Sequence, residues 1–372
     1  MSKNLTSLGL MSGTSGDGID ASVIISDGKN DYKVIQDTYF KYDNELFKEI
    51  HEVKEKINIL EDLVKFKKIL NKLEKKITLF VGKSITKLLK KNKIDLIGYH
   101  GQTIYHKSED QVSKQLGDAK LLSQLTLKPI VHNFRINDLN NGGQGAPLTP
   151  IFHKLIATKN NIKTPVCILN IGGIANATIV KNFKDEDLES RDLGPGNCLI
   201  DEWIRKNSKN KYDNNGRIAS RGVCNEVLME YALESNERFL EKKISLDTKD
   251  FNTSFIRGLS LEDGACTLTY FSANLISSSL NSFLEVERKI NKILICGGGR
   301  KNKELIRILR KKINSKFDIL DIDNFGINGD FVESQAFAFL GIRNILGLPI
   351  TFPKTTGCKS NTLGGELVKN FK

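Results

Sequence analysis

No Cys-x-x-Cys pair occurs in this chain of 372 residues, whose six cysteines lie at 167, 198, 224, 266, 296 and 358. That excludes a zinc ribbon and a thioredoxin-like motif. In a chain this long, scattered thiols predict a reduced cytosolic protein, not a disulfide scaffold. No stretch approaches the roughly 18 uninterrupted apolar residues of a membrane span. The opening Met1-Ser2-Lys3-Asn4-Leu5 lacks an apolar run, so no signal peptide is expected. The expectation is a soluble, cytoplasmic protein with no membrane partner. Solenoid repeats and low-complexity linkers are also missing. Three common motifs are absent. No Gly-Lys-Ser/Thr follows a glycine loop, which excludes a Walker A site. No Gly-x-Gly-x-x-Gly follows a strand, which excludes a Rossmann fingerprint. Ser15 sits in Gly-Thr-Ser-Gly-Asp, not in a Gly-x-Ser-x-Gly elbow.

What is present is an ordinary globular composition, 39% hydrophobic and 27% charged. This rules out disorder and a collagen-like chain. At about 150 residues per domain, two domains are expected. The net charge of +12 invites a nucleic-acid reading. Much of the excess is local, however. From Lys65 to Lys93 eleven lysines face one acid, Glu74, and Ile69, Leu70, Leu73, Ile77, Phe80, Val81, Ile85, Leu88 and Leu89 interleave at helical spacing. That pattern predicts a long amphipathic helix with a solvated lysine face. Aromatics and arginines are not interleaved there as stacking platforms require, so no nucleic-acid partner is expected. The charge can still draw in anionic small molecules.

Short apolar runs ending in glycine punctuate the chain. Leu8 to Met11 and Ala21 to Ile25 flank the loop Ser12 to Gly18 and predict a hairpin. Ile94 to Tyr99 predicts a strand ending at His100-Gly101-Gln102-Thr103. Val166 to Ile171 and Ala177 to Val180 flank Gly172-Gly173 and predict a second hairpin. Ile293 to Cys296 predicts a strand ending at Gly297-Gly298-Gly299, with a helix beginning near Asn302. Helical patterns cover Cys198 to Lys206, Thr267 to Ile290 and Ser334 to Leu346. The alternation indicates an α/β protein with mixed sheets. The domain boundary is expected between Phe134 and Pro150, across Asn140-Asn141-Gly142-Gly143-Gln144-Gly145-Ala146-Pro147. Those glycines also suit a backbone that a ligand approaches closely.

The candidate chemistry sits at these turns. Glycine-rich turns aim backbone N–H groups at one point, which suits a phosphate. Thr14 and Ser15 add hydroxyls, and Asp17 and Asp20 add hard oxygens for Mg²⁺, directly or through water. Taken alone, such a loop is an ordinary turn. Three glycine turns, each after a strand, suit a nucleotide-binding protein better. Asp192, in Arg191 to Asn197, is a candidate base at a strand end or an ordinary turn or N-cap acceptor. Asp330 to Glu333 adds carboxylates at a helix start, where they also suit the helix dipole. His100 and His106 have no third metal ligand at suitable spacing. They read as partners of a polar ligand or as a structural pair before zinc.

Taken together, these motifs resemble the anhydro-N-acetylmuramic acid kinases. The resemblance runs in order through Gly9 to Ser15 with Asp17 to Asp20, His100 to Thr103, Gln115 to Asp118, Gly142 to Leu148 and Asn170 to Asn176. It continues through Asp192 with Gly194 to Asn197, Cys296 to Gly299, Glu333 with Ala336 to Ala338, and Thr356-Gly357. Three positions depart from the family pattern. Gly16 replaces a larger apolar residue, Asn133 replaces an aspartate, and Leu193 replaces Thr or Cys.

The resemblance implies an α/β, two-domain actin-like ATPase fold, shared with sugar kinases, with a central cleft. Residues 1–135 would form the first domain, joined by 346–372, and 136–345 the second. ATP would be held by Gly13, Thr14, Ser15, Gly16, Asp17, Gly18, Ile19, Asp20, Gly172, Gly173, Gly194, Asn197, Gly297, Gly298 and Gly299. Mg²⁺ would sit at Asp17 and Asp20. The sugar would be met by His100, Gln102, Arg135, Gln144 and Glu333, with Arg135 the candidate for its lactyl carboxylate. Asp192 would be the catalytic base. The implied reaction opens the anhydro bridge hydrolytically and phosphorylates O6, giving N-acetylmuramic acid 6-phosphate in cell-wall recycling. A homodimer is a family-level expectation. Two rivals stand beside this one. One is another sugar kinase of the same fold. The other is a non-catalytic ATP-dependent binding module, which would keep the glycine turns without needing Asp192.

Overall fold

The computed structural model describes residues 4–236, 244–285, 287 and 289–371. The chain divides into two compact units. One comprises residues up to Ile162 with Lys184–Leu188 and Phe331–Lys372; the other comprises Lys163–Phe183 and Glu189–Asp330.

The first unit is built on a sheet of β1 (Leu5–Ser12), β2 (Gly18–Ser26), β3 (Tyr32–Lys41), β4 (Leu96–Lys107), β5 (Val112–Leu116), β6 (Ile130–His132) and, from the far end of the chain, β12 (Glu366–Val368). Their order is β12-β6-β4-β1-β2-β3, with β5 on β4. β1 and β2 are antiparallel, as are β2 and β3; β4 runs parallel to β1 and β6 parallel to β4. The second unit repeats this plan with β7 (Val166–Ile171), β8 (Ile174–Val180), β9 (Leu188–Pro195), β10 (Lys292–Cys296) and β11 (Asp318–Asp321), in the order β11-β10-β7-β8-β9. β7 and β8 are antiparallel, β10 is parallel to β7 and β11 parallel to β10. The order 3-2-1-4-5 therefore occurs twice, although no repeat is visible in the sequence. This duplicated α/β arrangement is that of the actin-like ATPase fold.

The lysine-rich pattern forms a helix over Lys67–Lys91 after a short turn of helix at Leu60–Lys65. Leu70, Leu73, Ile77, Val81, Ile85 and Leu88 are buried, while Ile69 is exposed. Glu74, the one acid among the lysines, accepts from the Gly117 amide and the Lys114 ammonium, both at 3.1 Å. Beside it Thr78 accepts the Asp118 amide at 3.0 Å. These bonds tie the Gln115-Leu116-Gly117-Asp118 motif to the helix, and Asp118 then caps the helix Ala119–Thr126.

Three sequence expectations shift. The units divide at 162/163 and 330/331, not at 135/136 and 345/346. The helix Pro150–Lys159 stays with the first unit because Phe152 packs between Tyr32 and Phe339 at 5.2 and 5.7 Å. The helix Val332–Ile345 also belongs there, against an expectation that the return begins near Leu346. Its backbone lies directly on β1 and β4. A side chain at Gly9 would come within 1.9 Å of the Ser334 carbonyl, and one at Gly98 within 2.1 Å of the Phe337 carbonyl. Glycine at both positions is what lets that helix approach. The short segment at 184–188 is held in the same unit by Asp185, which pairs with the buried Lys154 and Arg343. The other two shifts concern elements. The strand expected to stop at His100 runs on to Lys107. The helix expected over Thr267 to Ile290 spans Leu261–Leu284, starting six residues earlier than its pattern suggests.

Candidate active site

In the first unit, the turn Gly13–Asp17 joins β1 to β2. The Gly13 carbonyl accepts the Gly16 amide at 3.1 Å. Gly16 is left-handed (φ +59), and a side chain there would meet Ile50 at 3.1 Å. Ser15 donates to the Asp17 carboxylate. At Gly18 a Cβ would fall 2.5 Å from both the Phe40 carbonyl and the Tyr39 ring. Burial, followed by the nearby Asp17 and Asp20 charges, pushes the Tyr39 phenol up.

β4 carries the next motif through a bulge, since three steps from Tyr99 to Gln102 oppose two from Leu10 to Ser12. That brings Gln102 under the turn. Its amide donates to the Gly13 carbonyl at 3.0 Å, and its oxygen lies 2.6 Å from the Ser12 hydroxyl. Gln102 is fully buried. The expected sugar contact therefore sits as a brace beneath the glycine turn.

His100 and Arg135 do come together. Arg135 donates from Nη2 to His100 Nε2 at 2.9 Å and from Nη1 to the Gly145 carbonyl at 2.8 Å. Because arginine can only donate, His100 Nε2 is an acceptor. Its proton is then on Nδ1, which lies 2.8 Å from the Gly101 carbonyl. Burial, then the Arg135 charge, holds His100 well below its usual pKa, so it is neutral. Both its nitrogens are engaged, which removes it as a metal ligand. His106, also held down by burial, lies 2.9 Å from the Ser113 hydroxyl.

The loop that carries Gln144 is organised by a residue the sequence did not single out. Asp138 is buried and accepts from the Gly145 amide at 2.7 Å and the Thr356 hydroxyl at 2.6 Å. The Gln144 amide donates to the Thr356 carbonyl at 2.9 Å. Thr356-Gly357 thus serves this loop. Glu333 lies in the first turn of the helix Val332–Ile345.

In the second unit three expected pieces meet at the carboxyl end of β7. Amides of Gly196 and Asn197, at the start of the helix Cys198–Asn207, donate to the carbonyls of Gly173 and Gly172 at 2.8 and 2.9 Å. A Cβ at Gly196 would sit 2.3 Å from the Gly172 carbonyl. Gly297, with φ +81, packs on the end of β7, where a Cβ would lie 2.4 Å from Asn170 Oδ1. A Cβ at Gly299 would lie 2.2 Å from the Ile171 side chain, whereas Gly298 faces open space. Arg300 ties this turn to Asp323 at 2.9 Å and to Asp330 at 2.5 Å. Asp330 is therefore an ion-pair partner. Carboxyl ends of parallel strands are where open α/β sheets take ligands.

Asp192 lies within β9, not in a loop after a strand. Its Oδ2 accepts the Leu246 amide at 2.8 Å and lies 3.3 Å from the Ser245 hydroxyl. Neither Ser245 nor Leu246 carried a sequence signal. His51 and Lys54, which touch the first turn, were missed for the same reason. Among the described residues no cluster of three or more His, Cys, Asp or Glu could hold a metal, and no helix is long and apolar enough to cross a membrane.

The duplicated topology, with a glycine turn heading each sheet, marks the chain as a member of the actin-like ATPase class. Residues 5–370 match the family described as anhydro-N-acetylmuramic acid kinase. A protein of that name from Pelagibacter ubique (strain HTCC1062) is 49% identical over 376 residues, covering 100% of both chains. Another, from Zymomonas mobilis, is 35% identical over 98% of this chain and 99% of its own. Among solved structures, the activator of the 2-hydroxyisocaproyl-CoA dehydratase from Clostridium difficile with bound ADPNP aligns over 92% of this chain and 96% of its own, at 12% identity and a TM-score of 0.43. A ROK family glucokinase from Streptomyces griseus in complex with glucose and AMPPNP aligns over 90% and 98%, at 11% and 0.42. The chain belongs to the anhydro-N-acetylmuramic acid kinase family, and it is a kinase.

Proposed function

We propose that this enzyme uses ATP and water to convert 1,6-anhydro-N-acetylmuramic acid to N-acetylmuramic acid 6-phosphate. The observation that carries the reading is the family match over residues 5–370. The oriented carboxylate of Asp192 and the His100–Arg135 pair are consistent with it.

An anhydro sugar has no free 6-hydroxyl, so O6 must come from the bridge. Asp192 takes a proton from water, and the water oxygen bonds to C1. The C1–O6 bond breaks, and O6 bonds to the γ-phosphorus as the bond to the β-phosphate oxygen breaks. ADP leaves, and the proton passes from Asp192 to solvent. A general base must be aimed. The Leu246 amide and Ser245 hydroxyl on Oδ2 supply that aim for Asp192.

Phosphoryl transfer is mainly positioning and charge neutralisation. The turn Gly13 to Asp20, with Ile19 in β2 behind it, would take phosphates in the first unit. Gly172, Gly173, Gly194 and Asn197 would do so in the second, and Gly297 to Gly299 would receive the nucleoside. The donor set at Asp17 and Asp20 suits a hard cation. Mg²⁺ bound there would neutralise phosphate oxygens. On the sugar side, His100 holds Arg135 for the lactyl carboxylate, with Gln144 and Glu333 beside the other groups. We place the enzyme in the cytoplasm, in cell-wall recycling and as a homodimer; sedimentation velocity tests the last point.

The test is turnover in oxygen-18 water with mass spectrometry of the sugar phosphate. Label is expected on C1. Label on the phosphoryl group refutes the coupled route. In Asp192→Asn, ring opening and phosphorylation should fall together by about 10²–10⁴-fold. Full activity in that variant removes Asp192 from the role.

A further inference from the structure

The first glycine turn is held from outside by one helix, Asn44–Lys56. Lys54 donates from Nζ to the Thr14 carbonyl at 2.7 Å. His51 Nε2 lies 2.9 Å from the Ser15 carbonyl, which can only accept, so His51 donates. Ile50 sits against Gly16. Three successive turn residues are thus touched by side chains at 50, 51 and 54, which share one helix face. The helix is itself fixed to the turn. The Tyr42 amide donates to the Asp17 carbonyl at 2.9 Å, and Asp43 caps the first helical turn through the Leu46 amide at 2.8 Å. Phe47 packs against the His51 ring at a tilt of 55°, with centroids 4.4 Å apart.

A trans peptide is planar, with its C=O and N–H pointing opposite ways. Drawing the Thr14 carbonyl to Lys54 therefore turns the Ser15 amide away from the helix. Gly13 follows the same logic. Its carbonyl is taken by Gly16 and Gln102, which turns the Thr14 amide to the other side. We propose that Lys54 and His51 are positioning residues for the nucleotide phosphates: they grip the turn by its carbonyls, so that the Thr14 and Ser15 amides face the phosphate, and Lys54 adds a positive charge behind them. This rests on the reading of Gly13–Asp20 as a phosphate-binding turn. Neither residue belongs to the glycine motif.

The test is calorimetry of MgATP binding to the full chain, without sugar, for wild type, Lys54→Met, Lys54→Arg and Gly13→Val. Methionine keeps the helix propensity and the alkyl stem while removing the charge and donor. Hydrogen bonds from charged groups set the scale, so Lys54→Met should weaken MgATP about tenfold. Lys54→Arg should keep most of the affinity. Adenosine, which has no phosphate, should bind Lys54→Met as it binds wild type, by saturation-transfer NMR. A general loss of structure would weaken both ligands, and that outcome overturns the proposal. Unchanged MgATP affinity in Lys54→Met, with affinity lost in Gly13→Val, overturns the grip and leaves the turn's role standing. Unchanged affinity in Gly13→Val overturns the turn's role and the grip with it. If circular dichroism shows Lys54→Met unfolded, His51→Leu carries the same expectations.

Discussion

Replacing Gln102 with leucine separates two roles for one residue. A sugar contact would show in the KM for the sugar; a brace under the glycine turn would show in the KM for ATP. The structure favours the brace. Gln102 is fully buried, donates to Gly13 at 3.0 Å and lies 2.6 Å from the Ser12 hydroxyl. Leucine has a similar volume, so cavity cost is small and the loss is that of three hydrogen bonds: those two and a longer one, 3.3 Å, from the Gln102 amide to the Thr103 carbonyl. Gly13 and Ser12 are not orphaned. Gly13 keeps the Gly16 amide at 3.1 Å, and Ser12 keeps the Gly18 carbonyl at 3.0 Å and the Tyr42 hydroxyl at 3.2 Å. Three net hydrogen bonds amount to about 1.5–4.5 kcal/mol. Gln102→Glu should cost more, because it sets an acceptor against the Gly13 carbonyl and buries a carboxyl among acceptors. The assay is steady-state kinetics with each substrate varied in turn, beside denaturant titrations of all three proteins. A raised KM for ATP with an unchanged KM for the sugar is expected for Gln102→Leu. A raised sugar KM with ATP unaffected, and Glu tolerated as well as Leu, would refute the brace.

Two further outcomes follow from the same geometry. Gly297→Ala should lower stability by about 1–3 kcal/mol, since φ is +81 and its Cβ would lie 2.4 Å from Asn170 Oδ1. Gly298→Ala, with nothing within 4 Å, should leave stability nearly unchanged, and equal thermal shifts in the two variants would contradict this. Burial holds His106 and His153 down to about 3, and burial with the Arg135 charge holds His100 well below its usual value. All three enter the fold neutral, while unfolded imidazoles protonate near 6.5. Their contribution is present above about 6.5 and lost as pH falls, by about 1.4 kcal/mol per pH unit for each imidazole. Unfolding free energy that stays flat from pH 7.5 to 5.5 would refute it.

The sequence made some of this visible and hid the rest for physical reasons. Apolar runs ending in glycine predicted both hairpins and the strand before Gly297, because burial and tight turns leave a residue pattern. The domain limits were misplaced because Asn140 to Pro147 has the composition of a linker. Its hydrogen bonds, however, go to Asp138 and Thr356 inside the first unit. The strand through His100 was cut short because Gly101, with φ +79, reads as a turn residue, whereas here it sits in a bulge that lets β4 continue. The duplication left no sequence repeat, since strand order depends on pairing partners and not on residue identity.

The two glycine turns show where legibility ends. They occupy the same place in the repeated topology, between the first two strands of each sheet. Each is gripped by its carbonyls, which turns the next amides outward. In the second unit the grip is made by backbone amides at 196 and 197, and it leaves a strong signal, because no side chain fits at Gly196. In the first unit the grip is made by the side chains of Lys54, His51 and Gln102. Lysine and histidine on a helix surface carry no positional mark, and Lys54 is one of 56 basic residues. A backbone grip writes itself into the sequence as an obligatory glycine. A side-chain grip does not, so only the fold separates Lys54 from the lysines that merely face solvent.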